Sequence, residues 1–186
     1  FPVILGGEHS ITLGPVRAFK KKIKNFSVLQ LDAHRDLRDS FQGSRHSHAC
    51  IAKRIIELAP LTQAGIRSLS KEEAGKEYKN LKTFFMKDMI GNEDWMEATI
   101  DSLDNDRVYV TIDMDAFDPS IMPSVGTPEP GGMGWYDTLA LLKMLSRKKE
   151  IIGFDVVELS PAPGNISPDF LGAKLIYKFL NYIFSK

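Results

Sequence analysis

Apolar and polar positions alternate in blocks along this chain. Six short apolar runs recur, at residues 2–5, 27–31, 61–66, 81–86, 107–112 and 151–157. Runs of this length, bounded by Gly, Pro, Asn and Asp, read as strands. Arg107-Val-Tyr-Val-Thr-Ile112 and Ile151-Ile-Gly-Phe-Asp-Val-Val157 are apolar towards both faces, as in a strand covered on both sides. Between the runs, apolar residues return at helical spacing. Helices are predicted from Ser10, as N-cap, to about residue 24, over 47–58, around 71–78, over 92–103 and over 135–147. A last helix follows residue 168, with Leu171, Leu175, Tyr177, Phe179 and Leu180 expected on its core face. Pro15 lies within the first helix, and Lys20 to Lys24 close it where cations suit the helix dipole.

Strand followed by helix, repeated along the whole chain, predicts an α/β fold. The expected architecture is three-layer α/β/α with a mostly parallel central sheet. No internal repeat, low-complexity segment or linker divides residues 1–186, so one domain is expected. Three loops stand out: polar residues 37–46, the Pro- and Gly-rich segment 119–134, and 160–168 with three prolines. Long punctuated loops of this kind usually carry function.

Charge removes some classes of partner. The chain has 24 Lys plus Arg against 24 Asp plus Glu, so neither nucleic acid nor an anionic membrane is an expected partner. No apolar run is long enough to span a bilayer. Cys50 is the single cysteine, so no internal disulfide can form, which fits a reducing compartment and a cytoplasmic location.

The candidate chemistry sits where strands end, the usual ligand position in open α/β sheets. Asp32, His34 and Asp36 leave the second strand at alternate positions, so their side chains point the same way. Asp113 and Asp115 repeat the spacing after the fifth strand, His9 follows the first, and Glu158 closes the sixth. An isolated aspartate after a strand is commonly a turn former. Two alternating pairs and His9, on first, second and fifth strand ends expected to be neighbours, are a different matter, because clustered carboxylates need a counter-charge. Mixed carboxylate and imidazole donors suit Mn²⁺, Mg²⁺ or a similar ion. Six such donors exceed the usual share of one ion, so a pair sharing carboxylates, which can activate a water between them, is expected.

Three motifs extend this picture. Gly6-Gly-Glu-His-Ser10, Asp32-Ala-His-Arg-Asp36, and Asp113-Met-Asp-Ala-Phe-Asp-Pro119 with Gly126-Thr-Pro-Glu-Pro-Gly-Gly132 resemble, in order and spacing, the signatures of the ureohydrolases. That family includes arginase, agmatinase, guanidinobutyrase and formimidoylglutamase. The resemblance covers essentially the whole chain and implies an arginase-like fold with two Mn²⁺ ions. His9, Asp32, Asp36 and Asp113 would hold one ion. His34, Asp32, Asp113 and Asp115 would hold the other. Attack of an activated water on a guanidinium carbon would release urea and an amine. Glu158 matches the carboxylate that receives the guanidinium, Thr127 would contact substrate, and His48 matches a loop histidine proposed as a proton shuttle. His46 has no counterpart and reads as a surface residue.

Within the family, Glu8, Ser47-His48 and Thr127-Pro-Glu-Pro-Gly-Gly132 look more like agmatinase than arginase. The expected substrate is therefore agmatine, giving putrescine and urea. Arginase, a guanidino-acid hydrolase of the guanidinobutyrase kind, and an inactive truncated homologue acting as a subunit are the alternatives. Arg35 and Arg38 depart from the family pattern, and a cation near the entrance would disfavour an amine tail. The chain begins inside a strand, so the N-terminal part of the family fold is expected to be absent. A homo-oligomer, trimer or hexamer, is also implied.

Overall fold

The computed structural model describes residues 1–185. Its six strands are β1 (Val3–Leu5), β2 (Ser27–Leu31), β3 (Leu61–Ile66), β4 (Leu81–Phe85), β5 (Arg107–Asp113) and β6 (Glu150–Val157). All pairings are parallel, in the order β1-β6-β5-β2-β3-β4. The helices are α1 (Leu13–Lys22), α2 (Ile51–Ile55), α3 (Met86–Met89), α4 (Trp95–Asp101), α5 (Trp135–Lys148) and α6 (Ser167–Phe184). Among the described residues no helix is long and apolar enough to cross a membrane.

Alternation along the strands builds two cores. Leu29, Leu31, Val110, Ile112 and Phe154 point to one face, where Leu142 of α5 and Leu175 and Phe179 of α6 cover them. Val28, Tyr109 and Ile152 point to the other, against Val16 of α1 and Ile51 and Ile55 of α2. The three-layer α/β/α architecture follows, with an entirely parallel sheet.

Several expected elements differ. Ser10 is no N-cap: the chain enters α1 through a 3-10 turn, His9–Thr12, and the Ser10 hydroxyl bonds Glu8 instead. Pro15 falls in the first turn of α1, where its missing N–H has no helical partner to lose. Helix 47–58 shrinks to the 3-10 turn His48–Cys50 and α2, and helix 92–103 shrinks to α4. Residues 71–78 form turns rather than a helix. Gly75 has a φ of +78°, outside the helical range, and the Glu73 carboxylate turns inward to accept N–H groups of Leu37 at 2.7 Å and Ser70 at 2.8 Å. Arg35 completes that loop, donating to the Glu73 carbonyl and, at 2.8 Å, to the Lys76 carbonyl.

Register sets the level of the site. Leu31 pairs with Ile112, Asp113 with Val157 and Leu5 with Val156, so the four strands end together. The expectation that β1, β2 and β5 are neighbours is half right. β2 and β5 pair, but β6 lies between β5 and β1, so His9 reaches the cluster across a strand.

The segment after β5 is folded tightly rather than hanging as a free loop. The Arg67 guanidinium donates to carbonyls of Asp115 at 2.7 Å, Phe117 at 3.2 Å, Glu129 at 2.8 Å and Pro130 at 3.1 Å. Gly132 passes against this clamp, and a Cβ there would lie 2.6 Å from Arg67 Nη2 and 2.6 Å from the Asp118 nitrogen. Gly132→Ala is therefore expected to cost about 1–3 kcal/mol through overpacking. Arg67→Lys, which keeps the charge but loses the planar fork, is expected to destabilise in the same direction. Urea unfolding measures both, and unchanged midpoints would refute the clamp.

Candidate metal centre

The carboxyl edge of β2 and β5 gathers the acidic cluster. His9 Nδ1 lies 3.2 Å from Asp32 Oδ2, 3.1 Å from Asp113 Oδ2 and 3.6 Å from Asp36 Oδ2. His34 Nδ1 lies 2.8 Å from Asp115 Oδ2 and 3.7 Å from Asp32 Oδ1. His9, Asp32 and Asp36 form one set of donor atoms close enough to share an ion, and Asp32, His34 and Asp115 form another, with Asp32 common to both. Asp113 stands beside the first set through Oδ2, while its Oδ1 accepts the Asp115 N–H at 2.9 Å.

Backbone and amide donors fix the acids. Asp32 accepts from Gln30 Nε2 at 2.7 Å and from the His34 N–H at 2.6 Å, and Asp115 accepts the Ala33 N–H at 3.0 Å. Asp36 and Glu158 hold φ values of +52° and +65°, a left-handed conformation uncommon for residues with a side chain. Glu158 is tied down by two bonds. Its N–H donates to the Gly7 carbonyl at 2.7 Å, and its Oε1 accepts the His9 N–H at 2.6 Å.

An open cleft of about 460 Å³ lies over the cluster, lined by His9, His34, Asp36, Asp113 and Asp115 with Glu8, His48, Thr127 and Glu158. Thr127 Oγ1 lies 3.5 Å from Asp115 Oδ2. His48 is half-exposed on the rim, with Nδ1 3.0 Å from Glu8 Oε1 and its N–H bonded to the same oxygen at 2.7 Å. His46 is exposed outside this cleft, and Cys50 is buried as a packing residue. The structure thus gathers the candidate residues at one cleft, with Asp32 buried directly beneath its lining, and leaves His46 apart.

Electrostatics favours a cation here. Burial raises the carboxyls of Asp36 and Asp113 well above the usual range, and neighbouring acids, Asp32 for the former and Asp115 for the latter, push the same way. Burial alone would lower the histidines, but Asp113 and Asp32 hold His9 well above its ordinary value, and Asp115 raises His34 to about 9. His9 Nδ1 is buried, makes no hydrogen bond and faces three carboxylates. That donor set fits a divalent ion. The guanidinium of Arg35 is bonded to the Glu73 and Lys76 carbonyls, so it leaves the acids uncompensated.

Two polar residues behind the cluster were not anticipated. His9 Nε2 lies 2.9 Å from Thr111 Oγ1, which donates to Asp155 Oδ1 at 2.6 Å, and Tyr109 donates to Asp155 Oδ2 at 2.7 Å. The signal in the sequence is an aspartate inside the apolar run 151–157.

Known proteins share this fold. The agmatine ureohydrolase structure of Thermoplasma volcanium superposes with a TM-score of 0.88 at 38% identity, over 98% of this chain and 62% of that one. Arginase from Medicago truncatula superposes with a TM-score of 0.85 at 34% identity, over 98% and 59%. The fold is therefore the arginase-like α/β fold. A model of the arginase family matches residues 1–181, and this chain belongs to that family. An N(1)-aminopropylagmatine ureohydrolase of Synechocystis sp. is 45% identical over 98% of this chain and 60% of its own length. An agmatinase of Pyrococcus horikoshii is 39% identical over 95% and 60%. The chain spans about 60% of the length of these curated relatives.

Protons and ions compete for these groups, which fixes the sign of a pH effect. An ion on His34 must displace a proton held up to a pKa of about 9, and ions at Asp36 and Asp113 displace protons from raised carboxyls. Affinity for Mn²⁺ is therefore expected to climb as pH rises towards about 9, with protons released on binding. Calorimetry in two buffers of different ionisation enthalpy measures the release, and a pH-independent affinity would contradict it.

Proposed function

We propose that the protein carrying this chain is a dinuclear manganese amidinohydrolase that converts agmatine to putrescine and urea. The observation that carries this is the pair of donor sets sharing Asp32, with the Glu158 carboxylate opening into the same cleft. His9, Asp32, Asp36 and Asp113 would hold one ion, and His34, Asp32, Asp113 and Asp115 the other. Two such ions would supply Lewis-acid activation of a water.

The chain's own residues do the rest. Glu158, anchored by the His9 N–H, keeps lone pairs for a planar guanidinium, which a carboxylate can grip through two hydrogen bonds. Burial raises the Glu158 carboxyl, and a bound guanidinium would offset that cost. The Thr127 hydroxyl lines the cleft wall for substrate. His48, oriented through Nδ1 by Glu8, would give a proton to the departing amine. Attack of water on the guanidinium carbon and loss of that amine leave urea. Arg38, stacked 4.8 Å over Phe41, and Arg35, whose guanidinium bonds the Glu73 and Lys76 carbonyls, are the guanidinium cations on the cleft wall. We also place the protein in the cytoplasm as a homo-oligomer, with the exposed Phe170 and Tyr177 of α6 available for contact between copies.

A second substrate is favoured by one observation, the 45% identity to an N(1)-aminopropylagmatine ureohydrolase. Aminopropylagmatine presents the same guanidinium with a longer cationic tail. An open cleft with Glu8 on its rim suits either length.

Urea release with Mn²⁺ across agmatine, aminopropylagmatine, arginine and guanidinobutyrate separates the readings. Faster turnover of arginine than of either agmatine would overturn the proposal. Asp113→Ala is expected to abolish turnover, and wild-type rates from it would contradict its place as a ligand. Glu158→Gln, which loses a charge-assisted pairing, is expected to lower kcat/KM by about 10–100-fold, as a loss of about 1.5–3 kcal/mol implies.

A further inference from the structure

We infer that Thr111 and Asp155 are positioning residues that set the tautomer of His9, so that its Nδ1 offers a lone pair to a divalent ion. This rests on the metal centre proposed above.

Asp155 is buried in the middle of β6. A carboxylate only accepts, and its two oxygens take hydroxyl protons from Tyr109 at 2.7 Å and Thr111 at 2.6 Å. Thr111 has one hydroxyl proton, and Asp155 is its nearest acceptor. The Thr111 oxygen therefore turns lone pairs to its other neighbours, Thr12 Oγ1 at 3.3 Å and His9 Nε2 at 2.9 Å. A lone pair facing Nε2 calls for the ring proton there. In the neutral imidazole, Nδ1 is then the bare nitrogen, the form a metal ligand needs. Nδ1 is also the buried atom that makes no hydrogen bond and faces Asp32, Asp36 and Asp113. The polarity of the chain Asp155, Thr111, His9 thus ends where the carboxylates converge.

The same chain explains how His9 holds its place. The His9–Thr12 turn follows β1, and β6 separates β1 from β5. Thr111 of β5 fastens the ring to the strand whose end carries Asp113. His34 has no equivalent, because its Nε2 is 3.9 Å from Glu129 Oε1, too far for a hydrogen bond. Loss of the chain should therefore fall on one of two ions.

The test follows Mn²⁺ binding, by the electron paramagnetic resonance of free ion and by calorimetry, in the protein carrying this chain. Wild type is compared with Thr111→Val, Thr111→Ser and Asp155→Asn. Thr111→Val keeps the shape and removes the hydroxyl, and it is expected to weaken one binding step by about 10–100-fold, as loss of an outer partner does, leaving the other step unchanged. Asp155→Asn is expected to act alike, and Thr111→Ser to restore wild-type binding. Nitrogen–proton correlation spectra of the Zn²⁺-loaded wild type should show the His9 proton on Nε2. Wild-type binding by Thr111→Val, no rescue by Thr111→Ser, or a proton on Nδ1 would overturn the inference. If Asp155→Asn does not fold, the Thr111 pair decides. If the wild type binds no divalent ion, the metal centre itself falls and takes the inference with it, a result read before any variant is made.

Discussion

Crowded negative charge at the carboxyl edge of the sheet is the constraint on which the rest of the structure depends. Asp32, Asp36, Asp113 and Asp115 are all buried within one small volume. Carboxylates this close repel strongly where water is excluded, and a fold tolerates them only with protons or cations between them. Pairing of β2 with β5 makes the crowding unavoidable, because both strands end in an aspartate at the same level. The surrounding donors have a consistent role: Gln30 and the N–H groups of Ala33, His34 and Asp115 each hold a carboxylate oxygen. Neutral donors can aim the acids without cancelling their charge.

Two arginines next to this cluster show the same logic. Arg35 sits between two candidate ligands in the chain, and Arg67 lies against the Asp115 backbone. Both guanidinium groups bond carbonyl oxygens, of Glu73 and Lys76 for Arg35 and of five residues in the 115–130 segment for Arg67. A guanidinium turned among the acids would neutralise them and exclude a metal ion. Turned outward, it shapes loops that wall the cleft. The anticipated conflict between Arg35 and a cationic substrate tail is thereby eased.

Much of this was legible in the sequence, for identifiable reasons. The strands β2, β3, β5 and β6, buried on both faces, and the partly exposed edge strands β1 and β4 all read as short apolar runs, so all six were visible, and polar residues at their exits stood out. Helix 71–78 was misread because charge spacing alone does not show that Glu73 caps backbone N–H groups or that Gly75 takes a positive φ. Strand order was hidden, since it depends on which crossovers pack best rather than on local pattern. Thr111 and Asp155 were passed over because each lies inside an apolar run and gains meaning only when β5 and β6 pair.

That last case separates two kinds of residue at the site. Asp32, Asp113 and Asp155 stand on strands or at their ends, where both sheet faces are covered and movement is costly. Glu8, His48 and Thr127 stand on loops around an open cleft. Charge placement demands fixed positions to within a fraction of an ångström, which a buried parallel sheet provides. Substrate entry and departure demand parts that can yield, and loops provide those. Glu158 belongs to both, since it closes β6 and its carboxylate also holds the turn that carries His9. In the function proposed above, a change in how substrate fills the cleft at Glu158 would reach His9 through one hydrogen bond, so the proposed binding and metal-holding halves of the site would not be mechanically independent.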